Sequence, residues 1–145
     1  MALNARSDLV YLDTSVLVAL LTDDALSDRA DAMLANRLPV LLVSDFAGAE
    51  FASAVARRVR MGALGEAVAR EVFANFDAWT RRATQLVEIA PVDVALAAVF
   101  LRRLDLTLRT PDALHIAAAQ RLGACLATLD ERMVACAQAL GVAVV

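Results

Sequence analysis

The chain has 145 residues, a length that suits one domain and leaves no room for a second core. Hydrophobic residues make up 60% of it, but its longest strongly apolar stretch, Val16 to Leu21, lies between Asp13 and Asp23 and falls short of the roughly 20 residues a membrane-spanning helix needs. The net charge of −3 argues mildly against a nucleic-acid binder, and the 14 basic residues are all arginine, which excludes chemistry that depends on a lysine: a Walker A loop, a Schiff base, or a kinase built on a strand lysine.

Arg6 is followed by Asp8 and Asp13, which interrupt any signal-like apolar segment, so a soluble cytoplasmic protein with no membrane partner is expected. Leu9-Val10-Tyr11-Leu12 reads as the first strand, and helical patterns at 14–22 and 25–37 follow it. Val40-Leu41-Leu42-Val43 is the second strand, introduced by Pro39. Helices over 44–61 and 64–83 come next, with Ser44 as a cap and Gly62 between them. Leu86-Val87-Glu88-Ile89 is the third strand, closed by Pro91, and a helix is predicted over 92–104. Thr110-Pro111 supplies an N-cap and a first-turn proline for a helix over 111–122, which Gly123 ends. Ala124 to Thr128 is the fourth strand, 131–140 a helix, and Val142 to Val145, after Gly141, the fifth strand. Cys125 and Cys136 lie in apolar surroundings without CxxC spacing and read as reduced core thiols. Apolar runs bounded by Gly and Pro suit strands buried on both faces. Their alternation with helices predicts one α/β domain over 1–145, with a five-stranded, mostly parallel sheet and helices on both faces.

In such a fold ligands bind outside the carboxyl ends of the strands, and the crossover helices begin at that same edge. Asp13 follows strand one, Asp130 follows strand four by one residue, and Asp112 sits in the first turn of the helix that leads into strand four. Glu50 is about six residues into its helix, roughly 9 Å along at 1.5 Å per residue, but its side chain leans back toward the helix start. Four carboxylates at one edge, with no lysine to neutralise them, repel one another, and a divalent cation relieves that repulsion. Oxygen-only ligands favour Mg²⁺ or Mn²⁺ over zinc, and such an ion on carboxylates points to phosphoryl chemistry. Each acid also has a plainer reading. Asp13 and Asp130 can be N-caps and Asp112 a first-turn partner of the helix dipole. Glu50, in the small apolar stretch Phe46-Ala47-Gly48-Ala49-Glu50-Phe51-Ala52, is hard to explain as a solvated face.

Leu12-Asp13-Thr14-Ser15, Glu50, Thr110-Pro111-Asp112-Ala113-Leu114-His115 and Ala127-Thr128-Leu129-Asp130 before Gly141-Val142 together resemble a PIN domain, in particular a VapC-type ribonuclease toxin of a toxin–antitoxin pair. The resemblance covers nearly the whole chain. It implies a five-stranded parallel sheet, an acidic pocket for Mg²⁺ or Mn²⁺, metal-dependent endoribonuclease activity on RNA, a homodimer, and inhibition by a cognate antitoxin. By position it assigns Asp13, Glu50, Asp112 and Asp130 to the family's acidic quartet, and Ser15 and Thr128 to the accompanying hydroxyls. Many relatives place a further acid shortly after the third one. Here His115 stands three residues beyond Asp112, which leaves the number of metal ions open and suggests a structural or substrate-contacting role for His115 ahead of a ligand role.

Arg57, Arg58, Arg60, Arg81, Arg82, Arg102 and Arg103 read as solvated or helix-ending charges, whereas Arg109 stands beside the Asp112 motif and is a candidate for phosphate contact. Phe73, Phe76 and Trp79 lie at near-helical spacing and read as core or dimer packing. One rival is a PIN-like module that binds RNA or a partner without cleaving. Another is an α/β phosphatase with Asp13 as nucleophile; the missing lysine and the lack of an Asp two residues after Asp13 oppose it. A purely structural interaction protein leaves a buried Glu50 without explanation.

Overall fold

The computed structural model describes residues 8–35 and 38–145. Among these, four strands form one parallel sheet: β1 (Leu9–Leu12), β2 (Val40–Ser44), β3 (Thr84–Val87) and β4 (Cys125–Ala127), in the order β3-β2-β1-β4. Two helices follow β1, α1 (Thr14–Leu21) and α2 (Ser27–Leu34), and two follow β2, α3 (Asp45–Arg60) and α4 (Glu66–Ala83). The others are α5 (Pro91–Leu101) and α6 (Thr110–Leu122) after β3, and α7 (Glu131–Ala139) after β4. The last two residues of the helix predicted over 25–37 lie outside the described residues.

Strand alternation sends side chains to two cores. Tyr11, Leu42 and Leu126 face one, packed with Ala97 and Phe100 of α5, Ala113 and Ile116 of α6, and Met133 of α7. Val10, Leu12, Val43 and Ala127 face the other, with Val16 and Leu17 of α1, Phe51 and Val55 of α3, and Ala69 of α4. Helices therefore cover both faces, as the sequence predicts. The buried alanines of α6, Ala113 and Ala117 to Ala119, let that helix lie close to the sheet.

Two strands differ from expectation. The predicted fifth strand is a single parallel bridge, Leu126 to Val144. The Val142 N–H is taken up by the Ala137 carbonyl at the end of α7 (2.9 Å), so pairing with Leu126 is left to the Ala143 carbonyl and the Val145 N–H. The third strand begins two residues before the predicted 86–89, because α4 runs straight into extended backbone at Thr84. β3 is also a sheet edge rather than a strand buried on both faces: Leu86 is 62% exposed. At α6 the cap is Arg109, with Thr110 and Pro111 already helical.

The chain builds β1, β2 and β3 outward in one direction and then returns to place β4 on the other side of β1. The order reverses at β1. A crevice opens at such a reversal, at the carboxyl ends of the flanking strands, here β1 and β4. Two ion pairs hold the surrounding helices. Arg121 of α6 donates to both oxygens of Asp93 in α5 (2.7 and 2.9 Å) and to the Glu88 carbonyl. Arg58 of α3 donates to Asp24 (2.7 Å) and Thr22 (3.0 Å), just after α1.

Candidate active site

A cavity of about 160 Å³ opens at this edge, lined by Asp13, Thr14, Ser15, Glu50, Arg109, Asp112, His115, Asp130 and Met133. All four acids singled out in the sequence border it. Three of the four accompanying residues, Ser15, His115 and Arg109, border it too. Thr128 lies just beneath, bonded to Asp13. None of Arg57, Arg58, Arg60, Arg81, Arg82, Arg102 or Arg103 is in its wall. Arg58 and Arg103 instead pair with Asp24 and Asp105.

Asp13 is fixed from every side. Its Oδ1 accepts from the Ser15 hydroxyl (2.6 Å) and the Val16 N–H (3.1 Å), and its Oδ2 from the Thr128 hydroxyl (2.6 Å). It is thus the N-cap of α1, and capping accounts for one of its three bonds. The hydroxyls tie it to the segment after β4, where Ser15 accepts from the Leu129 N–H (3.0 Å) and Thr128 from the Asp130 N–H (3.1 Å). Only 4% of Asp13 is exposed. Burial raises its pKa above the ordinary carboxylate value, and the two hydroxyls and the nearby His115 only partly offset that.

Asp112 stands at the third position of α6, where its Oδ2 accepts from the Arg109 N–H and Nε–H, both at a long 3.4 Å. Asp130 caps α7 through the Arg132 N–H (2.9 Å) and the Met133 N–H (3.4 Å). Arg109 and Arg132 are both mostly exposed; Arg109, in the cavity wall, pairs with Asp112 (3.4 Å), and Arg132, outside the wall, lies 3.9 Å from Asp130. Arg132 escaped the sequence reading. Its place two residues after Asp130, in the first turn of α7, was the available signal.

Glu50 lies in the second turn of α3 and reaches back to the pocket. Its Oε1 accepts from the Thr14 hydroxyl (2.7 Å) and meets His115 Nε2 (2.5 Å). Burial works to raise the Glu50 pKa, but the bonds from His115 and Thr14, with attraction from His115 and Arg109, outweigh it, and the carboxyl titrates below its ordinary value. His115 is itself buried. Its Nδ1 meets the Tyr11 hydroxyl (2.9 Å), and that hydroxyl meets Ser44 Oγ (2.7 Å). Ser44 caps α3 by accepting from the Ala47 N–H (3.0 Å). Burial pushes the Tyr11 hydroxyl well up, so it stays protonated. The sequence reading passed over Tyr11 and Thr14 as individuals. A tyrosine inside a buried strand whose hydroxyl must find a partner was the one hint.

Carboxylates and hydroxyls with no thiol are the donor chemistry of a small hard cation. Among the described residues, no three His, Cys, Asp or Glu side chains are gathered as a finished coordination sphere. Mg²⁺ does not require one, since it keeps several waters and takes only one or two carboxylates directly. A buried, tightly oriented Asp13 facing a pocket of further acids is also what such an ion would relieve, so the residues fit the group.

The family model described as PIN domain matches residues 10–139. Solved structures with the same fold include VapC20 of Mycobacterium tuberculosis, described as a sarcin-ricin loop cleaving toxin (21% identity, TM-score 0.69, covering 87% of this chain and 93% of that one). FitAcB from Neisseria gonorrhoeae (19% identity, TM-score 0.67) covers 93% of this chain and 95% of its own. VapBC2 from Rickettsia felis, bound to a DNA fragment from its promoter (13% identity, TM-score 0.68), covers 94% and 97%. No curated protein matches the sequence significantly. At these identities the structural likeness speaks to the fold.

Proposed function

Because this chain belongs to the PIN-domain family, we propose that it is a metal-dependent endoribonuclease, the toxin of a toxin–antitoxin pair, with RNA as substrate and an antitoxin protein as partner. The observation that carries the reading is the pocket itself. Asp13, Glu50, Asp112 and Asp130 come from four separate helix starts or turns and border one cavity at the point where the strand order reverses. The descriptions of two solved structures with this fold, a sarcin-ricin loop cleaving toxin and a toxin–antitoxin complex from Klebsiella pneumoniae, support the choice of RNA and of an antitoxin.

Asp13, Asp112 and Asp130 would hold Mg²⁺ or Mn²⁺ directly or through water. Such an ion supplies positive charge at the scissile phosphate and lowers the pKa of a bound water. Asp13 contributes a carboxylate whose orientation three hydrogen bonds fix in advance. Glu50, ionised at neutral pH, accepts a proton from the attacking water or adds its carboxylate to the ion. Arg109 in the cavity wall, and Arg132 next to Asp130, would contact phosphate oxygens, which guanidinium groups meet with two donors each. In-line attack by water leaves a 5′-phosphate and a 3′-hydroxyl. The protein would work in the cytoplasm as a homodimer. Among the described residues no helix is long and apolar enough to cross a membrane. The direct test is incubation of the purified protein with end-labelled RNA in Mn²⁺ and in chelator. Cleavage in Mn²⁺ that chelator abolishes supports the reading, and equal cleavage in both removes the metal from it.

A second reading is a PIN-domain module that binds RNA or a partner without cleaving it. The observation favouring it is that Asp112 and Asp130 are already engaged by Arg109 and by the start of α7. Calorimetric titration with Mn²⁺ separates the two. Binding by wild type that Asp112→Asn loses supports the nuclease, and no binding by wild type supports the module.

A further inference from the structure

The Glu50 carboxylate ends a line of hydrogen bonds that crosses the sheet. The Ala47 N–H donates to Ser44 Oγ, which meets the Tyr11 hydroxyl, which meets His115 Nδ1, while His115 Nε2 meets Glu50 Oε1. Every member except Glu50 is buried. An ionised carboxylate only accepts, so Nε2 carries its hydrogen toward Glu50. In the neutral imidazole, Nδ1 then accepts from the Tyr11 O–H. Tyr11 in turn accepts from the Ser44 O–H, and among the described residues no buried side-chain polar atom is left without a partner. The ring is held further by the tilted ring of Phe46, 5.2 Å away between centroids. Both bonds to Glu50, from His115 and Thr14, fall on Oε1. Among the described residues Oε2 receives none, which leaves that oxygen for the cavity.

We propose that His115 is a positioning residue, locked in place by Tyr11, that holds Glu50 Oε1 and so presents Glu50 Oε2 to the metal ion. The inference rests on the reading of Glu50 as one of the ion's carboxylates. It assigns to His115 neither a ligand nor a substrate contact. Instead, a rigid donor on the buried side of the pocket orients an acid that reaches in from the second turn of α3. Partners that orient a ligating side chain typically change metal affinity or activity by about 10- to 100-fold when removed.

The test is Mn²⁺ titration calorimetry on the full chain and on His115→Leu, His115→Gln, Tyr11→Phe, Glu50→Gln and the double variant His115→Leu/Glu50→Gln. kcat and KM on an RNA oligomer are measured alongside. His115→Leu is expected to weaken Mn²⁺ binding by about tenfold, at the low end of that range, and to lower kcat with little change in KM. His115→Gln, which keeps an N–H donor, recovers most of the loss, and Tyr11→Phe falls between. In the Glu50→Gln background His115→Leu adds nothing further, because its effect runs through Glu50. The proposal is overturned if His115→Leu leaves Mn²⁺ affinity within about twofold of wild type, or if its loss multiplies with that of Glu50→Gln, as independent effects do. Should His115→Leu fail to fold, Tyr11→Phe, which removes one hydroxyl, carries the test on the same criteria. Coupled Mn²⁺ binding without RNA cleavage would uphold the positioning role and defeat the nuclease reading. Cleavage with uncoupled effects would do the reverse, and a wild type that neither binds Mn²⁺ nor cleaves defeats both.

Discussion

Asp13 is the side chain on which the site turns. It is buried, ionisable and held by two hydroxyls and a backbone amide rather than by a guanidinium. A carboxyl whose folded-state pKa is raised costs stability above that pKa, and the cost disappears as pH falls through it. At neutral pH in chelator, Asp13→Asn is therefore expected to melt at or above the wild-type temperature. Added Mn²⁺ should raise the melting temperature of wild type and leave that of Asp13→Asn unchanged; a scan of both proteins with and without the ion checks this. Thr128→Val keeps the shape of the side chain but removes a donor from Asp13, and is expected to cost about 1–3 kcal/mol, read by urea unfolding, together with most of the cleavage rate. The four acids could be found in the sequence because each sits at a strand end, in a first helical turn, or as an anomaly in an apolar helix. The support beneath them could not. Tyr11 and His115 are 104 residues apart, and a tyrosine in an apolar strand and a histidine in an alanine-rich helix both pass for ordinary core.

Among the elements, α1 and α6 each bring a cap residue and two helical residues to the pocket wall. α6 carries Asp112 in its first turn and His115 one turn later, and is capped by Gly123 in the left-handed conformation (φ 62°). Arg121 near its far end is held against the fully buried Asp93 of α5. Arg121→Met would leave that carboxylate buried without its partner, and is expected to cost about 3–5 kcal/mol in chemical denaturation. Asp93→Asn in the same background should recover part of the loss, since it removes the orphaned charge. Element boundaries were legible where the apolar run was continuous and closed by Gly or a capping residue, as for β1, β2 and β4. They were displaced where local signals misled. Thr84 and Gln85 look like the polar end of α4 yet open β3, and Val142 looks like a strand residue yet closes α7.

At the scale of the whole molecule, the alternation of strands and helices revealed a parallel α/β sheet covered on both faces. The order β3-β2-β1-β4 did not follow from it, because nothing local in a buried strand specifies its neighbours. That order matters to function. Placing β4 beside β1 brings Asp13, Asp130 and the start of α6 to one crevice, and the back-leaning side chain of Glu50 completes the rim from α3. The proposed function requires that this acidic crevice cut RNA. Induced expression of wild type and of Asp13→Asn, followed by sequencing of the 5′-phosphorylated RNA ends, tests it most directly. New ends at recurrent positions are expected with wild type and none with Asp13→Asn. The same ends from both proteins, or none from wild type, would contradict it.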